Sequence, residues 1–269
     1  MKKILFPVLL VCWFGAFGQR IELELMAGVS RYDGDLNRGS FKPALSLTGR
    51  YKLSGFFSVR AGFTYAQVAG TDKKGSQDDL KLRNLDFKSS LIEGSVMAEF
   101  NFFDSEEFVL YPYAFVGVGV FHFDPYTTDK NNVKTKLQPL STEGQGLPAY
   151  GDRKPYSLTA VCLPFGGGVK KVINNNFTIG FELGFRKAFT DYLDDISTTY
   201  PDCETLTTIK GDKATELSFR GDELNGRTDD CPIAGDKRGN PDKKDWYTFG
   251  GFTIAWVFGN KGYDRAFEW

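Results

Sequence analysis

From Ile21 onward, apolar and polar side chains alternate along the chain. Ile21, Leu23, Leu25, Ala27 and Val29 fall on one face, and Glu22, Glu24, Met26, Gly28 and Ser30 on the other. The same period recurs in Leu45, Leu47, Gly49, Tyr51 and Leu53, then in Phe57, Val59, Ala61, Phe63 and Tyr65. It returns at 92–102 and is clearest at 177–189, where Phe177, Ile179, Phe181, Leu183 and Phe185 oppose Thr178, Gly180, Glu182, Gly184 and Arg186. A period of two is the signature of a strand with one apolar face, not of a helix.

Three further strands are less regular: 111–123, 157–172 around "LPFGGGVKK", and 246–258. Pro164 and its neighbouring glycines predict a kink or bulge in the second of these. The pattern thus predicts eight strands. "SG" (54–55), "DSEEF" (104–108) and "NNN" (174–176) make short connections at one end, while polar stretches, the longest about 124–156 and 191–245, make long ones at the other. Short turns, long loops and an even strand number predict an all-β fold, an eight-stranded antiparallel transmembrane β-barrel with periplasmic turns and extracellular loops. In a water-soluble barrel the greasy face would point inward. Here the opposite face is rich in small residues that suit the narrow interior of eight strands, so the apolar face is expected to meet lipid.

Composition fits this picture. Aromatic residues make up 15 % of the chain, with 25 phenylalanines, yet the mean hydropathy is −0.30. Lys2 and Lys3, the apolar run Ile4 to Phe14 and the small residues Ala16 and Gly18 read as a secretory leader, residues 1–18, cleaved after Gly18. The barrel is then expected over 19–258, with a periplasmic C-terminal tail over 259–269. The formal net charge of −1 falls to −3 when the two leader lysines are removed. With no basic stripe, nothing favours nucleic acid; lipids of the cell outer membrane are the expected surroundings. Cys203 and Cys231 share a polar, glycine-rich stretch and are candidates for a disulfide in an oxidising compartment. Such a bridge would contribute about 3–4 kcal/mol.

With small residues inside, Glu22, Glu24, Glu93, Glu99 and Glu182 share the interior with Arg50, Lys52, Arg60 and Arg186. Because unpaired buried charge is costly, these residues are expected to form a paired network. Strand directions place Glu22 and Glu24 near Arg50, Lys52 and Arg60 at the periplasmic end, with Glu182 and Arg186 higher. At the extracellular rim, "TDYLDDIS" supplies Asp191, Asp194 and Asp195, and "YDGDLN" supplies Asp33 and Asp35. Calcium there is one reading; aspartates bonding their own backbone in turns is the favoured one. No motif calls for a metal or another cofactor. His122 with Asp124 allows a lipid-modifying enzyme as an alternative, though no motif supplies a nucleophile. Surface adhesion through the long loops is another. Phe103, Phe108, Tyr263, Phe267 and Trp269 are aromatic residues on the periplasmic side suited to binding a partner.

Four motifs in order, "YDGDLN" (32–37), "YAFVGVGVFHFDP" (113–125), "FRKAFTDYLDDIS" (185–197) and "RGNPDKKDWY" (238–247), resemble a Bacteroidetes family of outer-membrane barrels that includes PorG of the type IX secretion system. The resemblance runs from about residue 21 to 258. It implies a non-enzymatic scaffold that works with a periplasmic ring-forming lipoprotein and its partner in protein export and gliding motility. It supplies no catalytic residues.

Overall fold

The computed structural model describes residues 21–74, 77–224 and 231–258. The expected leader and the tail with Tyr263, Phe267 and Trp269 lie outside the described residues. The strands, in chain order, are β1 (Ile21–Asp33), β2 (Arg38–Ser40), β3 (Lys42–Lys52), β4 (Phe57–Thr71), β5 (Asp86–Asn101), β6 (Leu110–Phe123), β7 (Tyr126–Thr128), β8 (Lys134–Lys136), β9 (Thr159–Val172), β10 (Phe177–Ala188) and β11 (Trp246–Phe258). Eight long strands, β1, β3, β4, β5, β6, β9, β10 and β11, each pair with the next, all antiparallel. The cylinder closes where β1 pairs with β11 from Ile21↔Phe258 to Asp33↔Trp246. Short β2, β7 and β8 extend the sheet at the extracellular end.

Which face looks outward is unambiguous. Phe181, Leu183 and Phe185 are 48 %, 41 % and 37 % exposed, whereas Glu182 and Arg186 between them are 4 % and 3 % exposed. A water-soluble fold would reverse this order. On β5 the outward row from Ile92 to Phe100 rises about 20 Å once strand tilt is allowed for, close to the apolar band of such barrels. Closure satisfies the backbone hydrogen bonds that lipid cannot. The protein is an outer-membrane β-barrel.

The periplasmic turns follow from local side-chain chemistry. Ser54 Oγ accepts from the amides of Phe56 and Phe57 at 3.3 and 3.1 Å. Asn174 Oδ1 accepts from Asn176 and Phe177, both at 2.9 Å. These side chains stand in for backbone partners and tighten the reversal. The 53–56 and 102–109 turns are also joined, because Gly55 O accepts from Asn101 Nδ2 and the Ser105 amide, both at 3.0 Å.

The long loops are not irregular. They contain α1 (Asp78–Arg83), α2 (Cys203–Lys210) and α3 (Asp212–Ser218), none marked by strong sequence periodicity. Asp202 caps α2 by accepting from the Thr205 amide at 2.8 Å. A disulfide joins Cys203 at its start to Cys231. Cys162, the remaining described cysteine, is a buried free thiol in β9.

Candidate functional site

The interior is filled in layers. At the bottom, Arg50 meets Glu22 at 2.6 Å, Glu24 at 3.0 Å and Glu99 at 3.1 Å. Arg60 meets Glu182 at 2.7 Å and Glu99 at 3.3 Å, and Lys52 pairs with Glu22. Every sequence-predicted interior charge is therefore brought inside, with one correction. Glu182 does not sit higher beside Arg186; it joins the lower group through Arg60, because strand tilt staggers residues of neighbouring strands. Arg186 pairs instead with Glu93 at 3.3 Å, and Tyr247 donates to the same carboxylate.

Sequence reasoning missed Lys170, which is buried and paired with Glu99. Lys170 and Lys171 are adjacent, and the glycines of β9 leave no alternation to choose between them. It also missed the inward Tyr113 and Phe115. Tyr113 donates to Glu182 at 2.7 Å, and Arg60 lies over the Phe115 ring at 4.6 Å. Gly168 makes room: a Cβ there would meet the Tyr113 hydroxyl at 2.8 Å. Higher up, Phe121, Phe123, Tyr247 and Phe249 pack as one buried cluster with Tyr32 and Phe87. Lipid bilayers containing the purified barrel are expected to show no single-channel conductance above background; steady openings would contradict a filled lumen.

Above this plug the four sequence motifs converge. Tyr32 of the first donates to Asp194 of the third. Asp35 accepts from the Asn240 amide at 2.8 Å, joining the first to the fourth. The Leu193 amide donates to Asp245 at 2.9 Å, joining the third to the fourth. Phe121 of the second packs edge-on against Tyr247 at 5.2 Å.

The rim aspartates thus do more than shape turns. Asp194 does accept from the Ile196 amide at 2.9 Å, as a turn residue would. Yet Asp195 receives the Tyr156 hydroxyl at 2.6 Å and that of Thr142, and Asp191 receives Ser197 Oγ at 2.7 Å. All three are buried. Asp33 stays apart, exposed, 3.7 Å from Lys243 Nζ. Among the described residues no group of three or more His, Cys, Asp or Glu is arranged to hold a metal ion.

Two residues lock the loops together, Glu143, which carried no sequence signal, and Arg238, the first residue of the fourth motif. Glu143 accepts from the amides of Ser197 and Thr198 at 2.8 and 3.0 Å and from the Thr198 hydroxyl at 2.7 Å. Arg238 reaches Glu143 at 3.0 Å and the Ser218 carbonyl at 3.1 Å; its own carbonyl accepts from Arg83. Arg83 in turn holds Asp72 at 2.7 Å.

Burial pushes Asp191 and Asp195 up from 3.8 to about 6, and raises Asp194 and Asp245 well above the usual carboxylate range. A carboxyl raised in the closed cap favours closure most below its ordinary value, and that contribution is lost as pH rises through 6. Loop opening, read by amide hydrogen exchange at 191–198, is expected to be about tenfold rarer at pH 5 than at pH 8 from Asp195 alone.

His122 lies on the outward face of β6, with Nδ1 3.2 Å from Thr159 Oγ1. Asp124 is engaged by Lys136 at 2.6 Å. Among the described residues no acid is hydrogen-bonded to the histidine in the manner of a hydrolytic triad.

Among solved structures, the chain is similar to a major outer membrane protein from Thermus thermophilus, at 14 % identity and a TM-score of 0.43, covering 88 % of this chain and 98 % of that one. It is also similar to Neisserial surface protein A, at 9 % identity and a TM-score of 0.41, over 88 % and 97 % of the two chains. OprG from Pseudomonas aeruginosa gives 12 % identity and 0.40, over 88 % and 96 %. No curated protein matches the sequence. Residues 2–212 match the family described as a domain of unknown function, DUF6089. With more than half its length matched, the chain belongs to the DUF6089 family.

Proposed function

We propose that this barrel is a non-enzymatic scaffold of the type IX protein secretion and gliding machinery, holding a periplasmic ring-forming lipoprotein and its partner beneath the outer membrane. The reading rests on the motif resemblance, and one structural observation carries it further. With the lumen filled by ion pairs and aromatic rings and the top capped, the barrel is built to present surfaces, not to pass cargo. On the periplasmic side the two joined turns offer one such surface. Phe103 and Phe108 are both 47 % exposed and pack with tilted rings whose centroids are 5.3 Å apart, beside the exposed Glu106 and Glu107. Exposed paired aromatic residues are effective anchors for a partner.

The test is gentle detergent extraction followed by identification of what co-purifies. A ring-forming lipoprotein should accompany the native barrel and be lost from Phe103→Ala/Phe108→Ala or from a deletion of 261–269. A barrel that purifies alone, with its cap intact, overturns the scaffold reading.

A second reading, surface adhesion, is favoured by the disulfide-clamped cap. It predicts that cells carrying cap variants lose surface attachment while secretion is unchanged.

A further inference from the structure

Above the apolar belt on one side of the barrel lies a basic patch with no role in the cap or the lumen. Lys88 of β5, Tyr126 of β7 and Lys136 of β8 are direct cross-strand neighbours, through Lys88↔Tyr126 and Tyr126↔Lys136. Paired residues on adjacent strands share a face, and Lys88 and Lys136 are exposed. Lys134 places its ammonium 3.7 Å from the centre of the Tyr126 ring. Below, the Tyr65 hydroxyl is 3.5 Å from Ser90 Oγ and 3.4 Å from Gln67 Nε2. Tyr65 pairs with Ile92, and below it come the exposed Phe63 and Val96.

Two carboxylates border the patch, and both are occupied. Asp124 is bonded by Lys136 at 2.6 Å. Asp86 is bonded by Arg220 at 3.3 Å and Lys73 at 3.6 Å, and it accepts from Thr127. Lys88 has no hydrogen bond or ion pair among the described residues, and Lys134 no carboxylate. Two cations thus stay available at the level where the belt gives way to water.

We infer that Lys88 and Lys134, with the hydroxyl row beneath them, form a binding site for the phosphate of a phosphorylated outer-leaflet glycolipid. The chemistry matches at three depths. Acyl chains meet the row below Tyr65, sugar hydroxyls meet Tyr65, Ser90 and Gln67, and the phosphate meets the lysines. On the outward faces of the long strands, Arg31 also stands over Phe41 at 5.7 Å and Lys187 over Trp246 at 5.8 Å. Neither has a second unpaired lysine beside it, so the patch of Lys88 and Lys134 is the stronger anion site. Its continuity with the lipid-facing belt selects a membrane lipid over a free anion.

The experiment uses the folded barrel in phosphatidylcholine nanodiscs doped with bisphosphorylated lipid A, with its dephosphorylated form, or with neither, and measures lipid retained by native mass spectrometry. The native barrel should retain the bisphosphorylated lipid and not the dephosphorylated one. Each lysine at an anionic surface is worth about fivefold, so Lys88→Gln/Lys134→Gln should weaken retention roughly 30-fold. Lys171→Gln, exposed at the periplasmic edge, should leave it unchanged. Heat-modified gel mobility confirms that the variants are folded. Equal retention of both lipid forms, no loss in the double variant, or displacement by millimolar inorganic phosphate would overturn the site.

Discussion

Replacing Arg50 with methionine is expected to destabilise the barrel by about 3–5 kcal/mol, the largest loss for any single interior change. Arg50 is 1 % exposed and bonds three carboxylates, those of Glu22, Glu24 and Glu99. Lys52 still serves Glu22, and Arg60 and Lys170 still serve Glu99. Glu24 retains Arg60 at only 3.8 Å, so it becomes the stranded buried charge. Adding Glu24→Gln should therefore restore part of the loss. The urea midpoint of the barrel folded in lipid vesicles, followed by tryptophan emission, reads both changes. On the opposite face, Phe181→Arg should cost about 2–4 kcal/mol, because it places a cation in hydrocarbon. Equal midpoints for Arg50→Met and the native chain would mean that the interior ions are hydrated and unpaired.

The second large effect belongs to the cap. Arg238→Ala removes the cation shared by Glu143, the Ser218 carbonyl and Asp195, all buried. Breaking a buried pair of this kind costs about 3–5 kcal/mol. Here the cost falls on loop closure, since the barrel ladder is untouched. Opening should become at least about 100-fold more frequent. Tryptic cleavage at Lys210, Lys213 and Lys237 should accelerate accordingly, while heat-modified gel mobility stays native. If the cleavage rate is unchanged, the long loops are held by something other than this clamp.

The barrel was legible in the sequence because a lipid-facing strand writes its environment into every second residue. Residues 177–188 illustrate this: phenylalanine and leucine alternate with threonine, glutamate and arginine, and the structure exposes the first set and buries the second. Where glycine replaces both faces, as at 166–168, the signal disappears, and Lys170 was lost with it. The inward placement of Tyr113 and Phe249 also escaped notice, because an aromatic ring suits lipid and a plugged lumen equally well. The rim aspartates were visible, but not their use. A carboxylate bonding a turn amide two residues away and one bonding a tyrosine on another strand look identical in sequence.

By itself, the sequence determined the number of barrel-forming strands, which face meets lipid, and every interior charge of the barrel but Lys170. Each of these follows from local period and from the cost of exposing ions to hydrocarbon. Only the tertiary structure decided which ions pair and how the loops close. Arg60 meets Glu182 across 122 positions of chain, and Arg238 meets Glu143 across 95. Such partners are set by the stagger of tilted strands around a closed cylinder and by loops folding back over its mouth, neither of which leaves a periodic trace.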